Sequence, residues 1–148
     1  MYSKLHGLST VTLRYFNVYG PRQPLKGQYA PVIGLFEEQK KAKTPCTIVG
    51  DGEQRRDFTH VYDIVEANMC AMQTNCDGVF NIGTGKNHSV NDVAKMVNNP
   101  YNTIQIPARP GEARITLADN TKAKTLLGWE PKKELHEYFE NSSKISRW

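Results

Sequence analysis

The stretch Thr12–Pro24, TLRYFNVYGPRQP, starts as a β-strand and changes abruptly into a polar loop marked by glycine and proline. Val11–Phe16 is rich in β-branched and aromatic residues, which predicts a strand there. An amide at Asn17, a phenol at Tyr19 and a guanidinium at Arg22 follow it. In open α/β sheets, ligands bind in the crevice outside the carboxyl ends of the strands. We therefore expect this end of the strand to belong to a binding site.

The composition is that of one globular unit of 148 residues, 39% of them hydrophobic and 23% charged. No stretch approaches the roughly 18 apolar residues that a membrane-spanning helix needs, and the N-terminal residues lack the apolar segment of a signal peptide. Three cysteines without a CxxC pair predict reduced thiols in a cytoplasmic protein. Four scattered histidines without a ligand spacing predict no metal site.

The net charge of +4 raises the possibility of a nucleic-acid partner. However, Lys40, Lys41 and Lys43 fall at the end of a predicted helix, where cations favour the helix dipole, and Lys132 and Lys133 flank a turn. No basic stripe is interleaved with stacking aromatic residues. We therefore predict a solvated basic surface and no nucleic-acid partner, with part of this charge available to a small anionic ligand.

Hydrophobic periodicity and turn residues predict a chain in which strands and helices alternate, which indicates an α/β fold. Ser89, with Asp92 three residues later, is a predicted N-cap, and Gly128 is a predicted C′ residue closing a short helix. The predicted elements are strand Val11–Phe16, helix Tyr29–Lys43, strand Cys46–Gly50, helix Val61–Met72, strand Val79–Gly83, a helix after Ser89, strands Thr103–Pro107 and Ile115–Ala118, helix Asn120–Leu127 and a helical tail from Glu134.

The polar loops around the predicted strands carry mostly arginine as their charged residue. A guanidinium can donate two parallel hydrogen bonds to a phosphate, so several arginines on such loops indicate a doubly charged ligand such as a diphosphate. The alternative is that they form ion pairs within the protein, for example Arg56 with Asp57 or Arg109 with Glu112. The arginines in question are Arg22, Arg55, Arg56, Arg109 and Arg114.

Four motifs, LRYFNVYGPRQ, GDGEQRRDFTHVYDIVEA, FNIGTG and RPGEARITLADNTKAKTLLGW, occur in this order between Leu8 and about Tyr138. Together they resemble the extended short-chain dehydrogenase/reductase family, and within it the NAD-dependent epimerases of UDP-hexoses or UDP-uronic acids. The related GDP-mannose dehydratases usually carry different residues around the RRDF-type loop, which favours a UDP- or dTDP-sugar.

The fold implied by this resemblance is the last part of a Rossmann-type parallel sheet plus a small α/β lobe that binds the nucleotide sugar. Residues 1–28 would be the end of a Rossmann helix, a sheet strand and its exit loop. Residues 29–148 would form mainly the substrate-binding lobe, with strand 78–83 returning to the Rossmann sheet.

The resemblance also implies roles for individual residues. Tyr15 and Phe16 would lie near the nicotinamide of NAD. Asp63 and Asp119 match acidic positions that we interpret as helix caps. The implied substrate-binding residues are Asn17, Arg56 and Arg109 for the diphosphate, Gln28, Tyr29 and the backbone of Thr47 and Val49 for the base and ribose, and Glu112 for the ribose hydroxyls.

Two family motifs are not found in this sequence: the GxxGxxG loop that holds the NAD pyrophosphate, and the catalytic Tyr-x-x-x-Lys pair. In relatives that pair lies just upstream of the strand LRYFN. We therefore expect the chain to be the substrate-binding, C-terminal half of a UDP-sugar 4-epimerase, with NAD bound mainly by the other half. We also expect it to be inactive alone and, with a strand deprived of its sheet neighbour, to form a homo-oligomer.

In the full-length relatives, a tyrosine base and NAD would oxidise the sugar at C4, and the 4-keto sugar would turn over while its nucleotide stays anchored. Two alternatives remain open from the sequence. One is a dehydratase or decarboxylase of the same family, which would share the nucleotide anchor. The other is a stand-alone nucleotide- or anion-binding module without catalysis.

Overall fold

The computed structural model describes residues 2–25 and 31–145, in which short strands and helices alternate as the sequence predicts. The helices and strands, in chain order, are α1 Tyr2–His6, β1 Val11–Tyr15, β2 Val18–Tyr19, α2 Val32–Lys41, β3 Cys46–Val49, β4 Arg55–Arg56, β5 Thr59–His60, α3 Val61–Met72, β6 Gly78–Ile82, β7 His88–Ser89, α4 Val90–Val97, β8 Thr103–Ile106, a π-helical turn Ala123–Leu127 and α5 Leu135–Ile145.

The strands pair in four two-stranded ladders, and three of these are parallel. β1 lies parallel to β6, with Val11 opposite Gly78 and Tyr15 opposite Ile82. β2 pairs with β5 and β3 pairs with β8, also in parallel. The exception is β4, which runs antiparallel to β7. Parallel strands need long connections, so the two strands of each parallel pair come from distant parts of the chain.

The larger hydrophobic cluster lies among α2, β3, α4 and α5. Helix α2 contributes Ile33 and Phe36, both fully buried, whereas Val32 of the same helix is only partly buried. Strand β3 contributes its alternate residues Cys46 and Ile48, as expected for a strand with one buried face. This cluster also reaches the cleft that Arg56 lines, through Phe58 and Val90. Its other buried members are Tyr19, Phe58, Val90, Val93, Val97, Leu135 and Phe139.

A second hydrophobic cluster packs α3 and the π-helical turn against β6. Its members are Ile64, Ala67, Phe80, Ile82, Ala123, Leu127 and Trp129. The predicted bounds of α3 are confirmed, but only part of its apolar surface is buried. Ile64 is buried, whereas Val65, Met69 and Met72 are 53%, 45% and 79% exposed. The apolar residues of α3 thus lie on two faces, and only packing decides which one enters the core.

The structure corrects the assignment of acidic residues as helix caps. Asp63 is not the cap of α3: His60 is, through its Nδ1, which accepts from the Tyr62 N–H. Asp63 is buried and accepts the backbone N–H groups of Lys132 and Lys133 instead. Asp119 accepts the N–H of Thr121, but the N-cap of the π-helical turn is Lys122, which makes no side-chain capping bond.

The phenol of Tyr19 does not lie on a ligand-binding edge, as the opening stretch suggested. Tyr19 is only 1% exposed and packs edge-on against the rings of His60 and Tyr138. Burial is the main cause that raises the pKa of its hydroxyl far above the ordinary value, so this phenol stays neutral.

The local termination signals are confirmed. Ser89 and Asp92 form a reciprocal capping box at the start of α4, and Gly128 ends the π-helical turn at φ +64°, a left-handed conformation that glycine adopts without strain. The predicted strand at 115–118 is wrong: this segment makes a single parallel bridge, between Arg55 and Ile115. Its Ala118 N–H donates instead to a buried carboxylate.

Candidate nucleotide-binding cleft

A cleft of about 500 Å³ brings together six of the sequence-predicted substrate residues. Its volume falls in the range of roughly 300–1,000 Å³ that small-molecule sites occupy. Apolar residues of α2 and α4 form one wall and polar loops form the other. The lining residues are Asn17, Val18, Pro31, Val32, Leu35, Thr47, Val49, Gln54, Arg56, Phe58, Val90, Arg109 and Glu112.

Arg56 is held by two hydrogen bonds from its guanidinium. Its Nη2 donates to Glu112 Oε1 at 3.0 Å, and its Nη1 donates to the Arg55 carbonyl at 3.0 Å. The alternative pairing of Arg56 with Asp57 does not occur; the carboxylate partner of Arg56 is Glu112. Neighbouring residues of an extended chain point to opposite sides, so Arg56 faces the cleft while the Asp57 side chain points into the protein. Arg56 therefore finds a carboxylate 56 positions away.

Arg109 lines the main cleft and also a smaller adjoining cavity of about 250 Å³. Among the described residues it makes no ion pair, so the alternative of a pairing with Glu112 is not found. The loop that carries Arg109 is tied down by Arg114, whose two terminal nitrogens each donate to Asp51 at 2.8 Å. The hydrogen bond from Arg114 is the main cause that lowers the pKa of Asp51 to about 2.

Asp57 is a fully buried carboxylate that holds the segments beneath the cleft together. Its Oδ1 accepts from the N–H and the hydroxyl of Thr84, and its Oδ2 accepts from the N–H groups of Gly85 and Ala118, all at 2.7–3.1 Å. These bonds join the loop after β6 to the segment around Ala118. The flanking residues Arg56 and Phe58 are placed in the cleft wall as a result.

Asn17 lies at the same junction, in a backbone conformation with φ +26°. Its side-chain Nδ2 donates to the Asp57 carbonyl and to Thr116 Oγ1, both at 3.1 Å. Both amide hydrogens thus have protein partners. A direct contact between this amide nitrogen and a phosphate would require one of the two bonds to be exchanged.

The β3 residues of the cleft are fixed by two glutamines that the sequence analysis did not single out. Gln39 donates to Thr47 Oγ1 at 2.8 Å and accepts the Thr47 N–H at 3.1 Å. Gln54, which is buried in the cleft wall, donates to the Val49 carbonyl at 3.0 Å. These contacts set the position of the β3 backbone in the cleft.

The apolar wall was also missed by sequence reasoning. Val32 and Leu35, three residues apart on α2, line the cleft, while Ile33 and Phe36 of the same helix are buried in the core. Both pairs follow helical spacing, so the pattern alone does not separate the core face from the cleft face.

The residues that the resemblance assigns to the cofactor lie outside the cleft. Tyr15 donates its hydroxyl to Asn68 of α3 at 3.1 Å, and Phe16 is half-buried beside Gly83. The N–H groups of Thr84 and Gly85, in the loop GTG, are used by Asp57 and are not available to a pyrophosphate. These residues therefore do not form a dinucleotide site by themselves. The substrate residues Gln28 and Tyr29 lie outside the described residues.

The described residues contain neither a metal site nor a membrane-spanning helix. In residues 2–25 and 31–145 there is no group of three or more His, Cys, Asp or Glu side chains that could hold a metal ion. None of the helices described there combines the length and the apolar character that crossing a bilayer requires. All three cysteines are free thiols, and Cys46 is buried.

The chain has an α/β fold, and Arg56 and Arg109 line one cleft in it. Residues 1–142 match the family model described as GDP-mannose 4,6 dehydratase. The chain therefore belongs to this family of short-chain dehydrogenases/reductases, whose members are enzymes. Its α/β architecture corresponds to the C-terminal part of Rossmann-type epimerases, as predicted.

Individual relatives carry the names of UDP-sugar enzymes. The UDP-glucose 4-epimerase of Mycolicibacterium smegmatis is 37% identical over 142 residues, which are 93% of this chain and 45% of that protein. The crystal structure of Thermotoga maritima UDP-glucose 4-epimerase with UDP-glucose has a TM-score of 0.89 at 39% identity, and the match covers 99% of this chain and 48% of that one.

A third relative is Bacillus cereus UDP-glucuronic acid 4-epimerase, whose crystal structure contains UDP-glucuronic acid and NAD. It has a TM-score of 0.81 at 35% identity, over 94% of this chain and 45% of that one. NAD is thus a cofactor within the family. The chain spans about half the length of each of these relatives.

Proposed function

We propose that this chain anchors the nucleoside diphosphate of a UDP-sugar, as the substrate-binding part of an NAD-dependent UDP-sugar 4-epimerase. The observation that supports this most directly is the convergence of Arg56 and Arg109 on one cleft that also has an apolar wall. Two guanidinium groups match the two charges of a diphosphate. The apolar wall formed by Val32 and Leu35 suits the face of a nucleobase.

The anchoring role follows from the residues that line the cleft. A 4-epimerase must bind the sugar in two orientations, so its binding energy has to be concentrated away from the reacting carbon. The residues of this cleft can supply that binding: the arginines orient the diphosphate, Glu112 accepts from the ribose hydroxyls, and the backbone of Thr47 and Val49 lines the base. The proton-transfer residues and the dinucleotide site belong, in this proposal, to the part of the relatives that this chain does not match.

Binding of NAD is therefore proposed for the whole protein and not for this chain, where Tyr15 and Phe16 would only border the nicotinamide. The purified chain should neither retain NAD nor interconvert UDP-sugars. We also propose that it is cytoplasmic and that it self-associates. A dehydratase or decarboxylase would use the same anchor, and product analysis of a protein carrying both halves distinguishes these reactions.

Calorimetric titration with UDP, UDP-glucose, GDP and uridine tests the anchor. We expect UDP and UDP-glucose to bind alike, because the sugar is not the anchored part. Uridine should bind at least about tenfold more weakly, because it lacks the charge that the arginines recognise. Equal binding of UDP, GDP and uridine would contradict the proposal, and so would a failure of UDP to bind.

A further inference from the structure

The loop that follows β2, residues 20–25, lies close against helix α2 at a glycine. A Cβ at Gly34 would lie 3.2 Å from Gln23 Cδ, so a side chain at this position would force the loop to yield. The same turn of α2 carries Val32 and Leu35, which line the cleft. The 20–25 loop and the apolar wall of the cleft are therefore in contact with the same turn of this helix.

One carboxylate oxygen on the next turn of α2 joins three elements. Glu37 Oε2 accepts a hydrogen bond from Gln23 Nε2 of the 20–25 loop at 2.8 Å and another from the Tyr138 hydroxyl of α5 at 3.3 Å. Glu37 is partly buried, as are both of its partners. The loop, α2 and α5 thus meet at this single oxygen.

The side-chain amide of Gln23 is only half satisfied. Its Nε2 donates to Glu37, but its Oε1 is buried and has no hydrogen-bond partner among the described residues. A buried acceptor without a donor is unfavourable, so a donor close to this amide would be favoured. The carboxyl group that already holds the amide becomes such a donor when it is protonated.

The surroundings of Glu37 favour its protonated form. Burial is the main cause that raises the pKa of this carboxyl above its ordinary value, while the hydrogen bonds from Tyr138 and Gln23 and the charge of Lys40 act in the opposite direction. Lys40 on α2 and Tyr138 on α5 are the titratable groups that act on it, and the 20–25 loop presents the neutral amide of Gln23.

From this geometry we infer that Glu37 is a positioning residue that takes up a proton from solvent and donates it in a hydrogen bond to Gln23 Oε1, which locks the 20–25 loop against α2. In the protonated state the acid and the amide form two parallel hydrogen bonds, whereas in the ionised state only the bond from Gln23 Nε2 forms. The lock therefore tightens as the pH falls. Its effect on the cleft, through the helix that carries the apolar wall, rests on the proposed nucleotide-anchoring function.

Glu37→Gln imitates the protonated state, because its amide can donate to Gln23 Oε1 and accept from Gln23 Nε2 at any pH. Since the pKa of Glu37 is raised on folding, the stabilisation of the wild type is complete below the ordinary value of 4.5 and is lost as the pH rises through the folded value. In urea denaturation, Glu37→Gln should be more stable than the wild type at about pH 7, and the difference should close at about pH 4.5. Carbon-13 NMR of the Glu37 carboxyl should give a midpoint above 4.5.

Calorimetric titration with UDP at the same two pH values tests whether the lock reaches the cleft. At about pH 7, Glu37→Gln should bind UDP about two- to tenfold more tightly than the wild type, which is the range for one added hydrogen bond. At about pH 4.5 the two affinities should converge. Titration of the UDP phosphates is common to both proteins and cancels in this comparison.

Glu66→Gln is the matched control, because it removes a carboxylate from an exposed position of another helix, α3, and should follow the wild type in every measurement. The inference is overturned if the Glu37 midpoint lies at or below 4.5, if the wild type loses stability relative to Glu37→Gln as the pH falls, or if Glu66→Gln behaves like Glu37→Gln. A bound water that serves Gln23 Oε1 would give the first two results. Equal UDP affinities at about pH 7 would overturn the effect on the cleft. Failure of the wild type to bind UDP would overturn the proposed function, and the stability and NMR measurements would still decide the role of Glu37.

Discussion

The Asp57 carboxylate accepts a hydrogen bond from the Ala118 N–H at 3.1 Å, across 61 positions of the chain. The same carboxylate holds Thr84 and Gly85 and has no exposed surface. The segment around Ala118 does not pair as a strand at this point, and the Asp57 carboxylate accepts its N–H instead. It joins the loop after β6 to the segment around Ala118.

Asp57→Ala should destabilise the chain by about 3–5 kcal/mol, because it leaves the buried Ala118 N–H and the partly buried N–H groups of Thr84 and Gly85 without an acceptor. Urea denaturation followed by circular dichroism measures this. Asp119→Ala is the matched control: Asp119 is exposed and its side chain accepts from the Thr121 N–H, so its loss should cost about 1 kcal/mol or less. Equal costs for the two variants would show that Asp57 does not have the role assigned here.

Gly83→Ala should also destabilise the chain, by about 1–3 kcal/mol. A Cβ at this position would clash with the Ala118 Cβ and would lie 3.0 Å from Asp57 Oδ2, so neighbouring atoms must move. In the double variant Gly83→Ala/Ala118→Gly the closer of these contacts is removed. We expect the double variant to be less destabilised than the sum of the two single variants, and strict additivity would argue against the clash.

Arg56→Ala and Arg109→Ala should each weaken UDP binding about ten- to a hundredfold, because each removes a charge-assisted hydrogen bond to the diphosphate. Calorimetric titration measures the dissociation constants. Lys132→Ala, which removes a cation outside the cleft, should bind UDP like the wild type. If UDP binds the wild type and all three variants equally, the assignment of these arginines is wrong.

The Asp51 carboxyl should titrate with a midpoint near pH 2, because hydrogen bonds from Arg114 and from the Glu53 N–H stabilise its ionised form. Since the pKa is lowered on folding, the stabilising contribution is complete above the unfolded value of roughly 3.9 and is lost as the pH falls through about 2. Carbon-13 NMR of the Asp51 carboxyl checks this. In Arg114→Ala the midpoint should move back towards the ordinary value, and an unchanged midpoint would refute the pairing.

Self-association should occur along β1. Within the described residues this strand pairs with β6 alone, which leaves its other edge open to another chain. Light scattering over a concentration series should detect a dimer or a larger species. Thr12→Lys, at an exposed position of this strand, should shift the distribution towards the monomer. A monodisperse wild-type monomer at high concentration would argue against this edge as an interface.

Helix α4 and helix α3 illustrate what the sequence could predict. The start of α4 at Ser89 and Asp92 was correctly predicted, because a capping box satisfies backbone N–H groups within one turn and needs no other part of the protein. The bounds of α3 were also predicted. Its buried face was not, since apolar residues such as Ile64 and Met72 occur on two faces of the helix and only one of them packs against β6.

In the cleft, the sequence by itself determined the residue types: arginines and an acid on loops that adjoin strands, in an order typical of a known family. The tertiary structure decided their partners. Arg56 binds Glu112 and not the adjacent Asp57, because neighbouring side chains of an extended chain point in opposite directions, one into the cleft and one into the core. Such contacts join residues more than 50 positions apart, and their geometry is set by the packing of whole elements, which no local pattern encodes.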